Sequence, residues 1–147
     1  MLKLTPAHSK WWNKPLVSED GRKLPTELVI LNRSLMHGES GAWLNSRGTK
    51  TGVVDLVEIS PDKFKTVRIE LPEFVQECLK SFYSRQDVAK GIYDLVAWSQ
   101  STKVLRFIEV KCPHWDRQSP EQLVFANLAH EQGISVNVAE WEFDEKF

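Results

Sequence analysis

The segment GIYDLVAWSQSTKVLRFIEVK, Gly91 to Lys111, constrains the fold more than any other stretch of the chain. Two runs rich in β-branched and aromatic residues flank a polar turn at Ser99–Thr102, which reads as a β-hairpin. Each run is apolar on both faces, the pattern of strands covered on both sides. Such strands belong inside a sheet, with other elements packed above and below them. Three charges interrupt this pattern: Asp94 at the start of the first strand, and Glu109 and Lys111 near the end of the second. An ionised carboxylate at that depth is costly unless something compensates it.

The flanking periodicities supply the covering elements. Pro72 suits the first turn of a helix, and Phe74, Val75, Cys78, Leu79 and Phe82 follow at helical spacing, so a helix is predicted over 72–84. In SPEQLVFANLAHEQG (119–133), Ser119 caps, Pro120 takes the first helical position, Gln122 completes a capping box and Gly133 stops the helix. ISVNVAEW (134–141) alternates as a strand. Strand, helix, strand in that order predicts a βαβ crossover. Upstream, GTKTGVVDLVEIS (48–60) and FKTVRIEL (64–71), joined by a turn at Pro61-Asp62, read as a hairpin. TELVILNRSLMHG (26–38) fits a helix capped by Thr26 and closed at Gly38, though its VIL run suits a strand equally. Residues 1–25, rich in turn and polar residues around Trp11 and Trp12, are expected to wrap the domain. The fold class is α/β, a mixed central sheet flanked by helices.

The chain has 147 residues, 41% hydrophobic and 27% charged, which suits one soluble globular domain. No apolar run reaches the roughly 20 residues of a membrane helix, and the first residues lack the apolar core of a signal peptide. No membrane partner is expected. Cys78 and Cys112 show no framework spacing, which points to a reducing, cytoplasmic setting. Net charge is −1, but residues 1–50 carry eight Lys/Arg against four Asp/Glu, while 51–147 carry eleven against sixteen. A polyanion would meet a local basic patch and not the overall field. His8, His37, His114 and His130 lack ligand spacing, which argues against zinc. NSRGTKTG around Gly48 is not spaced as a P-loop, although Arg47 and Lys50 could touch backbone phosphates.

Residues two apart in a strand face the same way, so Glu109 and Lys111 share a side with Phe107. Asp94 falls opposite Phe107 or opposite Glu109, depending on how the turn sets the register. Its Cβ would then lie roughly 4.5–8 Å from that of Glu109. Two carboxylates that close repel, and a hard dication such as Mg²⁺ or Mn²⁺ between them removes the repulsion. Lys111 beside them could hold a water or a phosphate oxygen. The set suits metal-assisted phosphodiester hydrolysis. The plainer alternative is a surface ion pair of Glu109 and Lys111, with Asp94 a turn residue.

Asp94 fifteen positions before Glu109-x-Lys111, on a hairpin, resembles the PD-(D/E)xK nuclease superfamily. The longer string (Gly91-Ile-Tyr-Asp94-Leu-Val-Ala-Trp98, Phe107-Ile-Glu109-Val-Lys111, Asp116-Arg117-Gln-Ser119-Pro-Glu-Gln122, Gly133-Ile-Ser-Val-Asn-Val) is similar to its virus-type replication-repair nuclease (VRR-NUC) branch over about residues 88–141. The resemblance implies a restriction-endonuclease-like core. It implies Asp94, Glu109 and the main-chain carbonyl of Val110 as ligands of Mg²⁺ or Mn²⁺, Lys111 as the catalytic lysine, and Gln122 as a helix glutamine near the site. DNA, branched or flapped forms included, is the implied substrate. The setting is a stand-alone repair or phage enzyme, or the toxic domain of a secreted antibacterial effector that an immunity protein would neutralise.

Two departures stand out. Tyr93 occupies the position of the family's proline, and the acidic residue the family takes from an N-terminal helix could be Glu27, Glu39 or Glu77. Glu27 has the better family logic; a Glu near a helix start also serves as a dipole complement. A loop at the mouth of the site could use Arg117 for a phosphate and Trp115 for stacking; the plainer roles are a sheet cover and solvated loop residues. Organisation is expected as one domain over 1–147, with an N-terminal elaboration (1–60), a catalytic core (61–141) and an acidic tail (142–147). Oligomeric state and the choice between endo- and exonuclease stay open.

Overall fold

The computed structural model describes residues 1–144. In chain order the elements are β1 (Leu2–Trp11), β2 (Lys14–Glu19), β3 (Arg22–Pro25), α1 (Thr26–Ser34), β4 (Glu39–Trp43), β5 (Thr51–Ser60), β6 (Lys63–Glu70), α2 (Glu73–Tyr83), β7 (Leu95–Ser99), β8 (Leu105–Lys111), α3 (Pro120–Glu131) and β9 (Ser135–Phe143). The strands form one mixed sheet in the order β3-β2-β1-β9-β8-β7-β4-β5-β6. β8 and β9 run parallel, joined by α3, as the predicted crossover requires. β7 and β8 occupy the middle of the sheet, and β7 is buried along almost its whole length. Among the described residues no helix is long and apolar enough to cross a membrane.

Each face of the sheet has its own core. α1 packs on one face, where Leu28, Val29, Ile30 and Leu31 meet Leu95, Ile108 and Val110. α2 and α3 cover the other, where Phe82, Phe107 and Phe125 meet edge to face with ring centroids 4.9–6.0 Å apart. This alternation puts Phe107 and Ile108 on opposite faces, as the strand period demands. The sheet also curls around α1: Arg22 of β3 pairs with Asp55 of β5 at 2.7 Å and donates to the Leu56 carbonyl at 2.9 Å.

Several expectations need correction. Residues 1–25 form three strands and not a loose wrap, and β1 continues the central sheet through parallel pairing with β9. Thr26 is the first helical residue, buried, and the N-cap is Pro25 with no side-chain cap bond. α1 ends at Ser34, four residues before Gly38, because Leu35 is already extended; Gly38 (φ 81°) instead serves the reversal into β4. β4, inside the expected N-terminal elaboration, lies directly against β7. Glu142 and Phe143, expected in an acidic tail, complete β9, and positions 145–147 lie outside the described residues. α3 carries the predicted capping box, Pro120 opens it, and Gly133 (φ 76°) follows its end.

Candidate active site

The register of the central hairpin is the origin of the site. Leu95 pairs with Ile108 and Val96 with Phe107, and one further step sets Asp94 opposite Glu109. The backbone confirms that step: the Asp94 N–H donates to Glu109 Oε1 at 3.0 Å, and the Val110 N–H donates to Asp94 Oδ2 at 3.3 Å. Of the two registers open to the sequence, the structure takes the one that brings the carboxylates together.

Glu109 is 3% exposed and Lys111 9% exposed. The Lys111 Nζ lies 3.1 Å from Glu109 Oε2 and 3.3 Å from Asp116 Oδ1. Burial works to lower the proton affinity of this amine, but Glu109 and Asp116 outweigh it and hold it above its usual value. Lys111 is therefore a fixed cation and not a proton acceptor. Asp94 has no such partner. Burial first, then the negative charges of Glu109 and Glu27, push its carboxyl up to about 8, against a small opposing effect of the Val110 N–H. The local cation is committed to Glu109 and Asp116, so the negative potential at Asp94 stays uncompensated.

Gln122 joins the site through the helix that follows. Its Nε2 donates to Glu109 Oε2 at 2.5 Å, while its Oε1 accepts from the Ser119 N–H at 3.0 Å. The capping role and the proximity to the site, separate readings of the sequence, are two ends of one side chain. Gly91 fixes the distance: a methyl group there would overlap the Glu121 carbonyl, so the chain entering β7 rests on the first turn of α3. Tyr93, in place of the family's proline, is buried against Phe125, and its hydroxyl accepts from Gln118 Nε2 at 2.6 Å.

The three acidic candidates separate cleanly. Glu39 is committed to Arg106, accepting at 2.9 and 2.8 Å. Glu77 lines a different cavity with Glu70, Glu73 and Lys103. Glu27 is buried, its Oε2 takes Lys14 Nζ at 2.7 Å, and its Oε1 is buried with no hydrogen-bond partner. Its charge reaches Asp94. A cavity of about 100 Å³ lies here, lined by Glu27, Lys14, Val110, Asp116, Trp115 and Trp141 among others. Trp115 is 62% exposed and packs edge-on against Trp141; Arg117 is exposed, and His114 Nε2 sits 2.8 Å from Glu142. Two partners escaped the sequence reading. Asp116 was visible only as part of the Asp-Arg-x-Ser string, and nothing in the local pattern tied Lys14 to Glu27.

Residues 42–141 match the family model of the VRR-NUC domain. Two solved structures of paFAN1 are similar over part of the chain. The one bound to 2-nucleotide 5′-flap DNA with a gap is 22% identical, with 52% of this chain and 16% of that chain covered and a TM-score of 0.40. The one bound to 1-nucleotide 5′-flap DNA with a gap is 20% identical, with 49% and 13% covered and a TM-score of 0.38. This chain thus spans a small fraction of those proteins' length. No curated protein matches it. The match to the family model extends over most of the chain and takes in Asp94, Glu109, Lys111 and Gln122: the protein belongs to the VRR-NUC domain family.

Proposed function

We propose that this nuclease-type domain hydrolyses phosphodiester bonds of DNA with Mg²⁺ or Mn²⁺, flapped or branched DNA being the substrate class. The observation that carries the reading is the register that pairs Asp94 with Glu109 beside a buried, charged Lys111. The donor set fits a hard dication: the Asp94 and Glu109 carboxylates and the Val110 carbonyl offer only oxygen. The raised proton affinity of Asp94 and the unpartnered Glu27 Oε1 mark negative charge that the chain's own cations leave unanswered. Glu27 is accordingly our choice for the N-terminal acid.

A bound dication would make hydroxide available near neutral pH and withdraw charge from the phosphate. The chain's residues do the rest. Lys111, kept protonated by Glu109 and Asp116, offers a cationic donor to a phosphate oxygen as charge builds there. Gln122 holds the Glu109 carboxylate in one orientation from a capped helix end. Asp94 would serve as a ligand in its ionised form, which a bound dication beside it would favour. In a cell the activity would be cytoplasmic, in repair or phage replication or after delivery as an effector domain; an immunity protein would be the partner in the last case.

A second reading, a binding module that keeps the fold without catalysis, has one observation in its favour. Among the described residues no three His, Cys, Asp or Glu side chains are arranged to hold an ion. Cleavage of plasmid and 5′-flap DNA in Mg²⁺, in Mn²⁺ and in chelator separates the two. Wild type is expected to cut only with metal, and Asp94→Ala and Lys111→Ala to lose the activity. Cutting at close to the wild-type rate in either variant overturns the site, and silence of the wild type with and without metal favours the module.

A further inference from the structure

Beside the cavity that Glu27, Val110 and Asp116 line there is a second one, of about 400 Å³, lined by Trp11, Trp12, Lys14, Trp43, Asn45 and Arg68 among others. From its composition and position we infer that it is a subsite for an unpaired nucleotide of a DNA strand, with Trp12 as the stacking platform. The inference rests on the nuclease reading for its substrate class.

Trp12 carries the case. It sits in the two-residue turn closed by the Trp11–Lys14 pair of β1 and β2, and its φ is 58°. Hairpins this short favour Gly, Asn or Asp where φ is positive, and a bulky side chain there is an outlier. Packing does not explain the choice, because Trp12 is 84% exposed. The chain holds a large aromatic ring in water, at a hairpin tip, at a backbone position that disfavours it. A π-face presented this way suits a nucleobase, which stacks whatever its sequence.

The surroundings match a strand backbone. Arg68, exposed on β6, is steadied by Asn45, whose Oδ1 accepts from its Nη2 at 2.7 Å; the guanidinium has further donors for a phosphate. Trp11 meets Trp43 edge-on at 6.1 Å, giving the cavity an aromatic wall. Lys14 lies 5.7 Å from the Trp43 ring centroid and pairs with Glu27, and it lines both this cavity and the one that Val110 and Asp116 line. The two cavities are therefore neighbours, and a strand end displaced from a duplex could occupy one while its phosphodiester reaches the other. The local charge agrees: residues 1–50 have eight Lys/Arg against four Asp/Glu in a chain of net charge −1. Trp11, Trp12 and Lys14 precede residues 42–141, so the hairpin side of this cavity lies outside the family match, while Trp43, Asn45 and Arg68 lie within it.

Affinity measured by fluorescence anisotropy in chelator tests the subsite without cleavage. The probes are a duplex bearing a short single-stranded 5′ flap and a fully paired duplex of the same length. Trp12→Ala should weaken flap binding by about tenfold or more and paired-duplex binding by less than about threefold, and Trp12→Phe should recover most of the loss. Arg68→Ala should reduce the salt slope of flap binding by about one. Equal affinities of Trp12→Ala and wild type for the flap, equal losses on both probes, or a Trp12-dependent protein partner with no preference for the flap would each overturn it. Wild-type plasmid cleavage, run alongside with metal, keeps the two readings apart. Cleavage without Trp12-dependent flap binding removes the subsite alone, and Trp12-dependent flap binding without cleavage removes the nuclease alone.

Discussion

β8 carries two charged clusters, three residues apart, one partly buried and one buried, and they are built on opposite principles. At Arg106 every group is answered: the guanidinium donates to both oxygens of Glu39 and to the Ser34 carbonyl, and Glu39 also accepts from the Met36 N–H. Glu39 is held below the usual carboxylate range chiefly by the Arg106 hydrogen bonds. At Glu109 the arrangement is left short of positive charge, and neighbouring Asp94 is pushed up instead. The first cluster ties α1, β4 and β8 together and needs no ligand. The second leaves negative charge unanswered by the chain's own cations, and it is this shortfall that our proposal of a bound dication would fill.

That contrast can be broken by mutation. Arg106→Ala should cost about 1–3 kcal/mol, since it leaves the partly buried Glu39 without its cation, and thermal denaturation should show a fall of several degrees. A fall of only a degree or two would mean that the two clusters do not differ in kind. Lys111→Ala is expected to act on rate, lowering metal-dependent cleavage by about 10²–10³-fold, roughly 3–4 kcal/mol of barrier, with a smaller shift in melting than Arg106→Ala. Single-turnover cleavage checks it.

Asp94→Asn should stabilise the metal-free protein at pH 8 by about 1–3 kcal/mol while abolishing cleavage. Asp94 has its proton affinity raised by folding, so its share of stability is complete below its ordinary value near 4 and is lost as pH rises towards about 8. The advantage of Asp94→Asn should thus vanish in acid. Denaturant titrations at pH 4 and pH 8 in chelator test this, and an equal gain at both would refute it. Glu39 has the opposite slope: its folded value is lowered, so its contribution is present above the ordinary range of Glu and fades as pH falls. The smallest effect belongs to Ser119→Ala, which removes one cap bond to Gln122 and should cost about 1 kcal/mol.

The parts of the molecule legible in the sequence are those where local chemistry and tertiary role coincide. Ser119, Pro120 and Gln122 announce α3 because a cap, a helix start and a site glutamine are all written in four residues. Asp94, Glu109 and Lys111 stood out because charge in a doubly apolar hairpin has few explanations. Their register did not: loop length allowed two pairings with the same faces, and the one adopted is set by how the turn closes, with the Ser99 N–H donating to the Val104 carbonyl at 2.9 Å and Trp98 opposite Leu105. The first three strands were hidden because Pro6 and Pro15 sit in β1 and β2, and a register shift between Pro6 and Lys10 breaks the alternation of β1. Glu27 was one candidate of three, since what sets it apart is a contact thirteen residues back, with Lys14.

The bare contact between Gly91 and the first turn of α3 has a mechanical consequence. A joint made of two main chains contains no rotamers through which it could relax, so the backbones that carry Asp94 and Gln122 are set against each other without any adjustable spacer. A displacement of α3 would reach the Glu109 carboxylate directly, through the Gln122 amide. Tolerance to substitution should accordingly be narrow at this one position, remote from any reacting atom, and broad on the helix's outward side.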